Sequence, residues 1–483
     1  MRRALGLLAR DSAVYGLAGG IARFVKVLLV PIVAKAFPAA IYGVFDSVGV
    51  YAFLLAALGV LGLDSAVILF ARPAGGGAED ERRTAATQGL ILIVIATAVL
   101  GTGMAVGART WSTLLFSDAR YAPVFVWAGA TVPCSAVLMY ALSLLKWEFR
   151  RRWFLAASLG SALTSVLLTY FVAYHTDWGL SGLFAASLAG QAAGALTALI
   201  GCRDLLILRV ERGLARRMLA IGVPFALIGA AAAFAPSLDR FFLARFHPLA
   251  EVGLYGLGQK IAALQALVLS GFQAAWGPFA VSLRDSTRKG AVYGRVLLLV
   301  AAVGVLMSTL LSLAAPRLAV LAASRSYGGA EVFVPPLALS ATLGAVYFVV
   351  CIGAFLEGKS LFNLLAYVSG IGVTVVANIL LVAVGAPAVG IAWANCGGQA
   401  AAVVCMAILS QRVHPIPFPF LRTALLLAAG GVVAVAGGAV APVMAPAALA
   451  GAALVVIAAF GLAGWYAILL PAERRALRAM HRG

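Results

Sequence analysis

The sequence predicts an all-α polytopic membrane protein of about 14 transmembrane helices, arranged as two six-helix lobes with two further helices after them. Three observations carry that prediction. The chain is 63% hydrophobic and only 11% charged, with a mean hydropathy of +1.03, which is outside the range of soluble domains. Apolar runs of the ~20 residues needed to cross a bilayer recur almost end to end. Segments of the first half also echo segments of the second at a spacing near 210 residues.

In order along the chain, spans are expected near 13–33, 44–70, 85–108, 122–145, 153–174, 179–201, 218–236, 251–281, 292–314, 331–356, 361–384, 388–410, 421–441 and 447–470. The first apolar run is short and is followed by Arg10 and Asp11 with no small-residue cleavage site, so it does not read as a cleavable signal. Prolines 31, 133, 224, 236, 278, 335 and 336 fall in or near spans, where neighbouring helices can satisfy the carbonyls they free.

Basic residues set the orientation. The N-terminal flank, the loops after even-numbered spans and the C-terminal flank hold 26 of the 36 Lys and Arg when Arg295 and Arg422 at the adjoining span ends are included; the opposite loops hold 7, and three lie deep inside spans. Both termini are therefore expected in the cytoplasm, and runs such as KWEFRRR (146–152) mark the cytoplasmic face. This asymmetry accounts for the net charge of +19 and the pI near 10.3 without a nucleic-acid partner.

Several chemistries are excluded. The five cysteines, 134, 202, 351, 396 and 405, lie in or beside apolar spans without a CxxC spacing and read as small apolar fillers. Histidines 175, 247, 414 and 481 are scattered, so no metal site is expected. GTGMAVG (101–107) lacks the lysine of a phosphate-binding loop. Loops are short on both sides, which argues against a membrane polymerase, ligase or glycosyltransferase with a catalytic outer loop. A non-enzymatic role is expected.

The repeat organises the rest. VAKAFPAAIYGVF (33–45) lies over LARFHPLAEVGLY (243–255), pairing Lys35 with Arg245, Pro38 with Pro248, Ala40 with Ala250 and Gly43 with Gly253. EFR (148–150) lies over EGK (357–359), and GLFAASLAGQAA (182–193) over GIAWANCGGQAA (390–401). Six spans per copy is an even number, so the copies cross the membrane in the same sense, as parallel repeats do. The expected division is 1–212 for the first lobe, 213–414 for the second, and 415–483 for the last two spans and a basic tail. A substrate site is expected near the midplane where the lobes meet.

Charge inside the membrane points to that site. A Lys or Arg at the centre of a span costs roughly 2.5–3.5 kcal/mol on insertion scales. Arg23 sits mid-span with Lys26 one turn on, and Lys260 lies roughly 14 Å into span 8 at 1.5 Å per residue. Arg240 beside Asp239 is a span-end pair that serves structure as readily as binding. Asp46 and Asp64 have two readings, neutralising the span 1 cations or coupling a proton or sodium ion, the first being the plainer. Gln259 heads the uncharged side chains that can meet sugar hydroxyls, although most such groups join helices. A cationic cavity calls for an anionic, polar cargo.

With those residues in view, DSAVYGLAGGIARFVKVLLVPIVAKAFPAAIYGVF (11–45), VGLYGLGQKIA (252–262) with Pro278, and VANILLVAVGAPAVGIAWANCGGQAAAV (376–403) resemble the polysaccharide-transporter, or O-antigen flippase, branch of the MOP exporter superfamily. The resemblance implies a flippase in the bacterial cytoplasmic membrane, moving a lipid-linked oligosaccharide on a polyprenyl pyrophosphate carrier to the outer leaflet. It implies that Arg23, Lys26 and Lys260 face the pyrophosphate and acidic sugars. Membrane lipids, a polysaccharide polymerase and chain-length machinery are the implied partners, with no cofactor beyond a coupling ion. Rival readings are a lipid II flippase with the same cationic cavity, and a multidrug or cation antiporter with an acidic one.

Overall fold

The structure is a computed structural model that describes residues 25, 27–70, 78–207, 209–283, 289–323 and 327–467. All regular structure among them is helical. Eleven helices are long and apolar enough to cross a membrane, and twelve if Leu249–Ala266 and Gly271–Ser282, bent by 43°, form one span. A shorter apolar helix follows at Pro446–Phe460. Most of the span expected at 13–33 lies outside the described residues.

The helices group into two compact units, Met1–Gly256 with Ala322–Ser326, and Leu257–Leu321 with Tyr327–Gly483. In the first are α1 (Leu29–Ala36), α2 (Ala39–Gly59), α3 (Leu63–Phe70), α4 (Ala78–Val106), α5 (Ala108–Phe116), α6 (Ala122–Trp147), α7 (Arg151–His175), α8 (Gly179–Cys202) and α9 (Arg212–Phe246). The first two turns of α10 (Leu249–Ala262) also belong there. The second unit contains the rest of α10, then α11 (Leu264–Ser282), α12 (Lys289–Ala322), α13 (Val334–Val350) and α14 (Ile352–Leu356). It ends with α15 (Leu361–Ala383), α16 (Val389–Val413), α17 (Phe420–Val440) and α18 (Pro446–Ala467). Helix α9, which the repeat assigns to residues 213–414, packs on α2, α3, α4 and α5 of the first unit. The packing units and the sequence echo divide the chain at different places.

Local sequence explains the breaks. The single run expected at 44–70 turns at Leu61 and Gly62, both at positive φ, where the Gly62 backbone lies against Gly222 of α9 and no side chain would fit. Prolines 133, 224, 236 and 278 lie inside helices. Pro335 and Pro336 open α13, where a missing N–H breaks no helical bond. Large apolar side chains stay exposed on the helix faces, among them Leu167, Val320, Leu421 and Val455, as expected for surfaces that meet lipid.

Small residues set the tightest crossings. On α7, Ser158, Ser161, Ser165 and Thr169 form a buried stripe against α8, and a Cβ on Gly190 would lie 1.9 Å from the Ser165 hydroxyl. On α15, Gly370 and Thr374 do the same against α16, where a Cβ on Gly398 would lie 1.9 Å from the Thr374 hydroxyl. Gly190 and Gly398 stand 208 residues apart, the offset seen in the GQAA echo. Close approach of this kind lets membrane helices gain dispersion contact where burial from water offers little. In the second unit, Gln265 at the start of α11 donates to Thr342 Oγ1 at 2.6 Å and to Gly304 O at 3.2 Å, while its carbonyl accepts from Ser308. This ties α11, α12 and α13 together.

Candidate functional site

The first unit contains a crossing between the opening turns of α2 and α10. Each helix follows a two-residue turn with Pro at its end, Phe37–Pro38 before α2 and His247–Pro248 before α10. Proline suits a helix start because its φ is already helical. The contacts are reciprocal. A Cβ on Gly43 would lie 2.6 Å from Leu249 O, and one on Gly253 would lie 2.0 Å from Ala39 O. Gly43 and Gly253 are 210 residues apart, as are Ala39 and Leu249. Residue i meeting j while j's counterpart meets i's is the pattern of a two-fold contact.

Below the glycines the symmetry stops. One turn on from Gly43 is Asp46, and at the same offset on α10 is Gly256. A Cβ on Gly256 would come within 3.1 Å of Asp46 Oδ2, so glycine leaves the space that the carboxylate fills. Arg240 on α9 donates to that oxygen from Nη2 at 2.7 Å and from Nε at 3.1 Å. Both side chains are buried, at 0% exposure for Arg240 and 4% for Asp46.

A second layer holds the guanidinium. Its carbon lies 4.8 Å from the centre of the Tyr255 ring, within cation–π range. The Tyr255 hydroxyl donates to Asp239 Oδ2 at 2.7 Å, and Asp239 is fully buried. Tyr51, one and a half turns beyond Asp46, donates to Ser237 O of α9 at 2.8 Å. A buried charge is tolerated only when paired and hydrogen-bonded, and here Asp46 pairs with Arg240 inside a cluster drawn from three helices. Chemically it is a lock: it holds α2, α9 and α10 together and offers no nucleophile or metal cage.

The structure brings Asp46, Asp239 and Arg240 into this cluster, with Asp46 the partner of Arg240. Arg23 and Lys26 lie outside the described residues. Gln259 and Lys260 are half-buried in the last turn of α10, and Asp64 is half-buried in the first turn of α3. Tyr255 and Tyr51 were not singled out from sequence. Their signal was a phenol inside an apolar run, which needs a partner when buried. Among the described residues, no group of three or more His, Cys, Asp or Glu is placed to hold a metal ion. At the helix ends, Arg150 bonds Gly201 O at 2.7 Å and the carboxylate of Asp204, which raises the guanidinium pKa above its ordinary value.

With the geometry in place, three solved structures share the fold. One is the "Lipid II flippase MurJ, inward closed conformation", with a TM-score of 0.70 over 92% of this chain and 97% of that one at 11% identity. Another is an inward-facing "multidrug resistance MATE family transporter of the MOP superfamily", with a TM-score of 0.58 over 86% and 95% at 17% identity. The third is a MOP superfamily transporter from Pyrococcus furiosus Vc1 (DSM3638), with a TM-score of 0.58 over 86% and 96% at 15% identity. No curated protein matches the sequence. The profile of one family matches residues 42–330, more than half of the chain and both sides of the α2–α10 crossing. On the transmembrane helical fold of MOP superfamily transporters, then, this chain belongs to the family described as "Polysaccharide biosynthesis protein".

Proposed function

We propose that this protein flips a polyprenyl-pyrophosphate-linked oligosaccharide across the bacterial cytoplasmic membrane, for cell-surface polysaccharide synthesis. The observation that carries the reading is a pairing. The family is one of polysaccharide biosynthesis, while the fold is shared most fully, among the structures above, with a lipid II flippase. Arg23, Lys26 and Lys260 are the residues proposed to hold the pyrophosphate and acidic sugars, with Gln259 next to Lys260 on α10. Arg240 takes the role of lock, held by Asp46.

The proposal includes alternating access. With both termini in the cytoplasm, α1 and α9 run outward, and the turns at Pro38 and Pro248 lie on the outer side. The α2–α10 crossing then closes the outer path, and release of cargo requires it to part. Opening separates Asp46 from Arg240, so the cost must be met by cargo or by a coupling ion, proton or sodium. Among the described residues, Asp46 and Asp239 are the buried carboxylates for such a step, and Asp64 is a further candidate.

The test is translocation of a polyprenyl-pyrophosphate-linked sugar in proteoliposomes, comparing wild type with Lys260→Ala and Arg23→Ala. Flipping by wild type and loss in both variants is the expected result. Folded wild type that does not flip but drives proton- or sodium-coupled efflux of a cationic dye would move the chain to the multidrug reading.

A further inference from the structure

A cavity of ≈ 200 Å³ lies within the first unit, among α2, α6 and α8. Its wall includes Gly49 and Phe53 of α2, Ser135 of α6, and Phe184, Ser187 and Gln191 of α8. Among the described residues, none of those lining it is charged. Gln191 Nε2 donates to Ser187 Oγ at 3.0 Å, which leaves the amide carbonyl as an acceptor and the serine hydroxyl hydrogen as a donor. A Cβ on Gly49 would meet no atom within 4 Å, so the glycine leaves this part of the wall open.

From these features we infer that the cavity binds one uncharged pyranose ring of the cargo, an inference that rests on the flippase reading above. Size supports it: drug-sized ligands occupy roughly 300–1,000 Å³, and this space is smaller, on the scale of a single sugar. Chemistry supports it too. Hydroxyl and amide groups inside a membrane domain are costly unless satisfied, and here they converge with two aromatic rings. A sugar presents hydroxyls at its rim and C–H groups on its faces, which match Ser135, Ser187 and Gln191 on one hand and Phe53 and Phe184 on the other. A pyrophosphate would need a cation, and an apolar tail would not need the hydroxyls. The position has a mechanical meaning as well. Asp46, Gly49 and Phe53 are spaced i, i+3, i+7 and share one side of α2, so the helix that carries the lock also carries the wall of the sugar site.

The experiment is saturation-transfer NMR on the full chain in nanodiscs, with the methyl glycosides of glucose, galactose and N-acetylglucosamine as probes. Methyl glucuronide and sodium chloride are the controls. Wild type is expected to transfer saturation to at least one neutral glycoside, and Gly49→Leu, which fills the space, to abolish it. Gln191→Leu should weaken it by about tenfold, the loss of one good hydrogen bond, and serves if Gly49→Leu does not fold. No transfer to any neutral glycoside, equal transfer in the variants, a preference for glucuronide, or stabilisation by sodium alone would each overturn the inference. Glycoside binding by a protein that does not flip would support this site and count against the flippase. Normal flipping by Gly49→Leu that has lost binding would overturn this site alone.

Discussion

Arg240 is the most demanding residue in the chain. It is a guanidinium with no exposed surface, held by the Asp46 carboxylate and set over the Tyr255 ring. Removing one member of such a pair is far worse than removing both, because the survivor is left as an uncompensated buried charge. Arg240→Met should therefore lower stability by about 3–5 kcal/mol, and the double change Asp46→Leu with Arg240→Met should recover most of it. Thermal unfolding in detergent of the two single variants and the double would show this; additive losses would contradict it. Tyr255→Phe keeps the ring under Arg240 but strips the hydroxyl from Asp239, with an expected cost of about 1–3 kcal/mol in the same measurement. Part of this was legible in sequence as a problem: Asp46 stood out as a charge inside a span, and Asp239 with Arg240 as a span-end pair. Their solution was not legible, because Asp46 and Arg240 are 194 residues apart and a single sequence holds no signal for which buried charges meet.

At the scale of helices, tight crossings fall where the chain echoes itself. Gly43 with Gly253, and Gly190 with Gly398, keep their partners at the common offset near 210. If the α7–α8 and α15–α16 crossings are equivalent, Gly190→Ala and Gly398→Ala should each cost about 1–3 kcal/mol by overpacking, and the two losses should match. Gly253→Ala differs because the added carbon would meet backbone at Ala39 O, which no rotamer change relieves. That variant should part the α2–α10 crossing, read as higher reactivity of a cysteine placed at Tyr42 toward a membrane-impermeant maleimide. The echo flagged these glycines, but it could not say that Gly43 touches the neighbourhood of its own counterpart. That follows from the two segments being packed together, which the repeat alone does not require.

For the whole molecule, composition made the solvent and the fold class legible, because bilayer thickness dictates run length. Helix breaks were not legible. The turn at Leu61–Gly62 and the 43° bend between Ala266 and Gly271 occur inside runs that remain apolar throughout, so hydropathy passes over them. Topology remains open to direct test. With both termini cytoplasmic, Thr176→Cys should react with an impermeant maleimide in intact cells, and Arg152→Cys only after permeabilisation; the reverse pattern would invert the orientation.

The exchange of Asp46 for Gly256 also bears on how such a chain could have been assembled. A protein made of two copies of residues 1–212 would set an aspartate against an aspartate at the crossing, with a valine in place of Arg240, and repulsion would hold it open. Two copies of the second half would set glycine against glycine and leave each guanidinium without the carboxylate that Asp46 provides. Only unlike halves close. At this crossing the two echoing segments are complementary rather than interchangeable, and a homodimer of half-length chains could not reproduce the lock.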